Sequence, residues 1–174
     1  MATENPEPAP AADFTFRDQV WDDDPAAIRR IVADTGFFNE AELDIAMELV
    51  VERLQKGPSS GYEFCFAQAG STLAGYACFG PIAGTLASFD LYWIAVAPGF
   101  QGLGLGQALL ARAERAIAAA GGQRVYIETS SRAQYRDTRA FYGRCGYRLE
   151  AVLADFYAPA DDKLIFVRQL GAAA

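Results

Sequence analysis

The segment Gln101-Gly102-Leu103-Gly104-Leu105-Gly106 constrains this chain more than any other part of its sequence. An apolar run, Leu91-Tyr92-Trp93-Ile94-Ala95-Val96, precedes it, and an alanine-rich stretch of helical period follows it to about residue 120. A strand, a glycine turn and a helix start in that order belong to a fold that packs helices against a sheet. Glycine lets the backbone come close to an anion, the first N–H groups of a helix lack partners within it, and the helix dipole favours negative charge there. The segment therefore reads as a phosphate cradle, set against the plainer reading of an ordinary glycine-rich connection.

Spacing removes two common owners of such turns. A P-loop needs Lys followed by Ser or Thr after its last glycine, and Gln107-Ala108 stand there instead. The dinucleotide fingerprint, started at Gly102, would need a glycine where Gln107 stands. It also wants an acid about twenty residues on. Tyr126 and Ile127 occupy that region, with Glu128 just beyond. What remains is Gln-x-x-Gly-x-Gly, with Pro98 between strand and turn.

At 174 residues the chain fits one domain with a full core. No uninterrupted apolar run approaches the roughly 18 residues of a membrane helix. Residues 1–12, rich in Ala, Pro and Glu, lack the basic start and apolar centre of a signal peptide; they are expected to form a disordered tail on a cytoplasmic protein. Cys65, Cys78 and Cys145 have no metal spacing, and histidine is absent. That combination argues against a zinc site or disulfide framework and removes Ser-His and Cys-His catalysis. The net charge of −7 is uneven: residues 1–90 carry five basic and fifteen acidic side chains, residues 91–174 ten and seven. So acidic a chain is a poor partner for nucleic acid, although local amides could still hold one small polyanion. The acidic half would draw a cationic co-substrate, or is simply a set of solvated helix faces.

The pattern predicts strands at 14–20, 62–68, 72–79, 88–97, 124–128, 148–156 and 164–169. Helices are expected from Asp24-Pro25 to about 35, from an Asn39/Glu42 capping box to 56, from 105 to 120, and from 136 to 144. The order β α α β β β α β α β β implies an α/β (α+β) fold. Its single mixed, mostly antiparallel sheet would hold six or seven strands, flanked by about four helices, within residues 13–170.

Two motifs in this order resemble the GNAT superfamily of acetyl-CoA-dependent N-acetyltransferases. Val96-Ala97-Pro98 with Gln101-x-x-Gly104-x-Gly106 is similar to that family's pyrophosphate-binding motif, and Phe141-Tyr142-x-x-x-Gly146-Tyr147 to its second hallmark. The resemblance implies that amides of Gly102, Leu103, Gly104, Leu105 and Gly106, with Gln101 and Gln107 beside them, hold the pyrophosphate of acetyl-CoA. It also implies that the strand edge at Ile94, Ala95 and Val96 pairs with the pantetheine arm. Two parallel strands would splay there, leaving acyl room between 93–96 and 124–128. Tyr142 would lie by the cofactor sulfur, with Phe141 among the cofactor-binding residues. Tyr135 and Thr138 stand where the family pattern places Asn and Ala, which leaves pantetheine contacts from that helix open.

Acetyl transfer needs a neutral amine, a polarised thioester carbonyl and a proton for the departing thiolate. A phenol of pKa about 10 suits a thiolate whose conjugate acid lies near 8.5, and Tyr142 is assigned that role. Freeing a lysine-like amine at pH 7 costs roughly 4.6 kcal/mol, an α-amine only about 1.4, so a base matters far more for the first. Glu128 is the leading base and Asp90 the second, with relay through water or no base as alternatives. A backbone N–H near Ile94 or Ala95 would meet the oxyanion. Cys145 fits a small buried thiol better than an acyl carrier. Phe37-Phe38 fit a pocket roof or core packing; Ser130-Ser131 a cap or a phosphate contact; Arg132, Arg136 and Arg139 cofactor phosphates or a solvated face; residues 157–162 an acceptor-side loop or a plain turn. The expected enzyme acetylates a primary amine of a small or amino-acid-like acceptor, in a ternary complex and without metal. The acceptor's identity, acyl chains beyond acetyl and the oligomeric state, a homodimer included, are left open. A protein N-terminal or lysine acetyltransferase and a non-catalytic acyl-CoA-binding module are the rivals; motif spacing disfavours a nucleotide-binding regulator.

Overall fold

The computed structural model describes residues 13–171, so the tail expected at 1–12 lies outside the described residues. Seven strands form one sheet: β1 (Phe14–Arg17), β2 (Glu63–Ala69), β3 (Thr72–Pro81), β4 (Ser88–Val96), β5 (Arg124–Ser130), β6 (Arg148–Ala158) and β7 (Asp161–Gln169). Their order is β1-β2-β3-β4-β5-β7-β6, and β4 with β5 is the single parallel pair. Four helices complete the fold: α1 (Asp24–Asp34), α2 (Glu40–Lys56), α3 (Leu105–Ala119) and α4 (Arg136–Arg144). The expected element order and mixed sheet are both present.

Strand alternation builds two cores, because successive side chains leave the sheet on opposite faces. Cys65, Ala77, Leu91, Val125, Ile127 and Phe166 meet Leu109, Ala113 and Ile117 of α3 and Tyr142 of α4. Phe64, Phe66, Tyr76, Cys78 and Ala95 meet Ile28, Val32, Leu43 and Val50 of α1 and α2. The capping box of α2 is complete, with Glu42 N–H donating to Asn39 Oδ1 at 3.1 Å and Asn39 N–H to Glu42 Oε2 at 2.8 Å. At α1 the cap falls one residue earlier than expected, on Asp23. Asp24 turns back to accept from Trp21 N–H at 2.7 Å and from both terminal nitrogens of Arg17, at 2.5 and 2.9 Å. That guanidinium lies 3.7 Å from the Trp21 ring centre and 4.1 Å from that of Phe66, so β1, β2 and α1 are fastened at one buried ion pair.

Two irregularities shape the middle of the sheet. The β3–β4 register shifts where Cys78 opposes Trp93 and Phe79 opposes Leu91, so Tyr92 has no opposite number. Such a bulge bends its strand. Next to it, β4 and β5 pair only from Ser88 with Arg124 to Asp90 with Tyr126. Beyond those rungs the strands part. The gap therefore opens between Leu91 onward and Ile127 onward, and Arg124, Val125 and Tyr126, expected to border it, lie in the paired seam instead.

Candidate active site

The glycine turn crosses the end of β4 and delivers the chain into α3. A short 3-10 turn at Pro98–Phe100 starts it, and Gln101 Nε2 donates to the Val96 carbonyl at 3.1 Å, folding the loop back onto the strand end. Gly102 and Gly104 have φ of 77° and 78°, the left-handed region that side chains disfavour. Gly104 is the N-cap of α3, and no side chain caps that helix. The first N–H groups of α3, from Leu105, Gly106 and Gln107, therefore keep the partnerless state of a helix start. Nothing lies within 4 Å of where a Gly102 or Gly104 side chain would project, so backbone conformation rather than crowding explains these glycines. Gly104→Val is expected to weaken binding of the CoA that the resemblance implies by about tenfold, because the free loop relaxes out of a left-handed conformation that costs a residue with a β-carbon about 1–2 kcal/mol and the bound loop has to adopt it. Gly99→Ala, at an open position with ordinary φ, should bind normally in the same calorimetric titration.

The two sequence motifs meet at this point. A β-carbon on Gly106 would sit 3.6 Å from the Phe141 ring and 3.9 Å from Val96 Cγ2. The next residue, Tyr142, is 6% exposed and packs against Tyr147 and Phe166, ring centres 6.1 Å away in each case. Burial pushes its phenol well above the ordinary tyrosine range, and Cys145 adds to that. Its hydroxyl makes no hydrogen bond to any described residue. By contrast, the Tyr147 hydroxyl donates to Glu114 Oε1 at 2.9 Å, and Arg168 Nη1 donates to Glu114 Oε2 at 2.8 Å. Burial also raises the Cys145 thiol, keeping it protonated as befits a packed thiol.

On the opposite face an aromatic wall stands over the gap. The Phe38 ring lies 4.9 Å from Trp93 and 6.4 Å from Tyr135, and Phe37 lies 5.8 Å from Tyr135. Phe37 and Phe38 thus join the α1–α2 connection to the residues before α4, and Tyr135 belongs to this wall. Asp90 and Glu128 share that face. Glu128 Oε2 is 2.5 Å from Lys163 Nζ, and that lysine also lies 4.1 Å from the Phe156 ring centre. Asp90, at the last rung before the strands part, has no ion-pair partner among the described residues. Burial raises its carboxyl, Glu128 adds to the rise, and Lys163 offsets part of it.

The Acetyltransferase (GNAT) family model matches residues 21–147, a span holding both motifs and the parted strands. The chain belongs to the GNAT acetyltransferase family. It is 46% identical to a GNAT-family structure from Desulfovibrio desulfuricans, covering 91% of this chain and 100% of that one, with a TM-score of 0.90. The ribosomal-protein-S18-alanine N-acetyltransferase of Escherichia coli shares 20% identity over 93% of this chain and 97% of its own, at a TM-score of 0.72. An acetyl-CoA-bound acetyltransferase structure from Salmonella typhimurium shares 21% over 92% and 96%, at 0.70. At those two identities the likeness shows the fold alone. No curated protein matches the chain in sequence.

Within this GNAT enzyme several candidates separate by partner. Arg139 Nη1 donates to the carbonyls of Ser130 and Arg132, each at 2.9 Å, and Arg132 pairs with Asp161 at 3.1 Å. Arg132 keeps part of its side chain in solvent, and Arg136 is exposed with Asp137 Oδ1 3.5 Å from its Nε. Ser130 donates to Asp161 Oδ1, and Asp162 N–H donates to Ser131 Oγ at 2.8 Å. These serines therefore tie the β6–β7 turn to the end of β5; neither caps a helix. The loop expected at 157–162 shrinks to two residues between β6 and β7. Thr138, on α4, is half-buried. Sequence reasoning passed over Lys163. Its signal was available: it is one of two lysines in the chain and interrupts a strand that continues Leu164-Ile165-Phe166-Val167.

Proposed function

We propose that this enzyme transfers the acetyl group of acetyl-CoA to a primary amine of a small-molecule or amino-acid-like acceptor. The single observation that carries the proposal is the uncapped start of α3 meeting parted strands and the unpaired Tyr142 hydroxyl. Partnerless amides at a helix N-terminus fit a pyrophosphate, and the residues present hold no side chain that would compete for them. Acetyl-CoA, when bound, supplies an activated acyl group on a good leaving group.

The chain's residues account for the rest. Ala97 N–H donates to the Ala74 carbonyl at 2.9 Å. Alternation along the ladder then turns the polar groups of Ala95 to β3 as well, and those of Ile94 and Val96 to the gap. The Ile94 N–H is thus the better oxyanion donor of the two considered, while Gln101 already occupies one acceptor position on Val96. Tyr142 would give its proton to the leaving sulfur as a neutral acceptor nitrogen displaces it from the carbonyl carbon, and the proton shed by that nitrogen would restore the phenol. Of the two carboxylates, Glu128 would have to release Lys163 to take a proton from the ammonium, and Asp90 has no such tie. The aromatic wall and the two acids favour a cationic or apolar amine.

Thermal shift with acetyl-CoA, CoA, NAD and ATP tests the donor: CoA species alone should stabilise, and a response confined to NAD or ATP would overturn the proposal. A panel of small amines, amino acids and peptides with free N-termini, read by CoA release, then names the acceptor class. Release confined to the peptides would replace the small acceptor by a protein terminus. Tight CoA binding with no release on any amine would favour the non-catalytic module.

A further inference from the structure

We infer that Lys163 limits the acceptor to an amine carrying one positive charge on an aromatic or apolar body. The inference rests on the acetyl transfer proposed above and concerns which amine receives the group. Asp90 and Glu128 share the face where β4 and β5 part, and the Lys163 ammonium lies 2.5 Å from Glu128 Oε2. Two carboxylates against one ammonium leave a single negative charge. Of the charges bordering this space, Arg132 pairs with Asp161 at 3.1 Å. Glu42 accepts from the Asn39 N–H at 2.8 Å, at the start of α2, where the helix dipole offsets it. One cation therefore neutralises the site, and a second would add charge that nothing balances.

Lys163 itself is closed to an acceptor: its side chain is 14% exposed, against 49% for Glu128. The cause is an arch in β6. Between the rung of Leu153 with Lys163 and that of Ala158 with Asp161, β6 carries four residues and β7 one. Asp155 takes up the excess at a φ of 53°, donating its N–H to Asp162 Oδ1 at 2.9 Å and accepting from the Ala160 N–H at 2.6 Å. Phe156 and Tyr157 then lie over the ammonium, their ring centres 4.1 and 6.0 Å from Nζ. A lysine engaged by a carboxylate and two rings offers a substrate carboxylate little, so an amino acid finds no anchor there. Yet Phe156 and Tyr157 remain about half exposed, as does Phe37. Burial raises the Tyr157 phenol, and Glu128, Asp161, Tyr135 and Glu42 add to the rise, as expected of a ring between β5 and the start of α2. An aryl or alkyl body would cover these rings while its ammonium meets Asp90, which has no ion-pair partner among the described residues.

CoA release at saturating acetyl-CoA tests this with phenethylamine, its para-aminomethyl derivative, phenylalanine and propylamine. These differ in turn by a second ammonium, an added carboxylate and a lost ring. Phenethylamine should lead each of the others in kcat/KM by at least about tenfold. Lys163→Met leaves both carboxylates without their counter-charge and should shift the ratio of diamine to phenethylamine by about tenfold toward the diamine. A merely structural role for Lys163 would instead lower all the acceptors alike and leave that ratio unchanged, which would overturn the inference. So would a wild type that prefers the diamine or phenylalanine, or that ranks propylamine with phenethylamine. Release in another order overturns this inference alone, whereas no release on any amine, with acetyl-CoA still bound, overturns the proposed activity with it. Should Lys163→Met not fold, the wild-type order of the acceptors decides.

Discussion

Tyr142→Phe should lower kcat by roughly 10²- to 10³-fold, within the range usual for a lost general acid, and shift the affinity for CoA by less than about threefold. The ring supplies the packing against Phe141, Tyr147 and Phe166, and phenylalanine preserves that ring. What disappears is one hydroxyl that no described residue engages. Because burial holds this phenol above its ordinary range, it stays protonated at neutral pH, so no loss of rate between about pH 6 and 9 should trace to its ionisation. Tyr147→Phe is the informative companion. Its hydroxyl is already bonded to Glu114, so its removal should cost stability and leave kcat nearly intact. Steady-state rates and calorimetric CoA affinities separate the outcomes: equal kcat in Tyr142→Phe and wild type would remove the assigned acid.

Asp24→Ala should destabilise the protein by about 3–5 kcal/mol, the penalty for leaving one member of a buried ion pair alone. At roughly 2–4 °C per kcal/mol for a chain of this size, the loss in Tm is about 10 °C. Asp24 is buried, and it satisfies both Arg17 and the Trp21 N–H. Without it the guanidinium stays clamped between Trp21 and Phe66 with no counter-charge, and its Nε already lacks a partner. Arg17→Met combined with Asp24→Ala should recover part of the loss, since the orphaned charge goes too. Denaturant melts of the three variants measure the effect, and a single variant as stable as wild type would show that the fastening is dispensable.

Local chemistry explains why the fold was legible in the sequence. The capping box at Asn39, the glycine turn at 102–106 and the strand alternation are decided by neighbours in the chain. Each strand boundary came out within a few residues, β3, β5, β6 and β7 being longer than expected and β1 shorter. Long-range pairing was less readable. The place where β4 and β5 part depends on register, and only the structure puts Tyr126 in the seam and Ile127 beyond it. Lys163 and Glu128 are neighbours because β5 and β7 lie side by side, thirty-five positions apart in sequence. Arg132 and Arg139 resembled a basic face in sequence; only their acceptors reveal that they brace the β5–α4 connection.

The seam between β4 and β5 has a mechanical meaning. Three rungs join a block of β1 to β4 to a block of β5, β7 and β6. The sheet is consequently a pair of plates sharing a short weld, and α3 is the strap, since Leu109, Ala113 and Ile117 share one core with Leu91 on one plate and with Val125 and Phe166 on the other. A molecule lodged in the gap and bonded to the free lip of β4 while touching α4 would bridge both plates. Donor binding would then do more than fill a site: it would supply the cross-bracing that the strands omit, and the stiffness of the enzyme would rise with its occupancy.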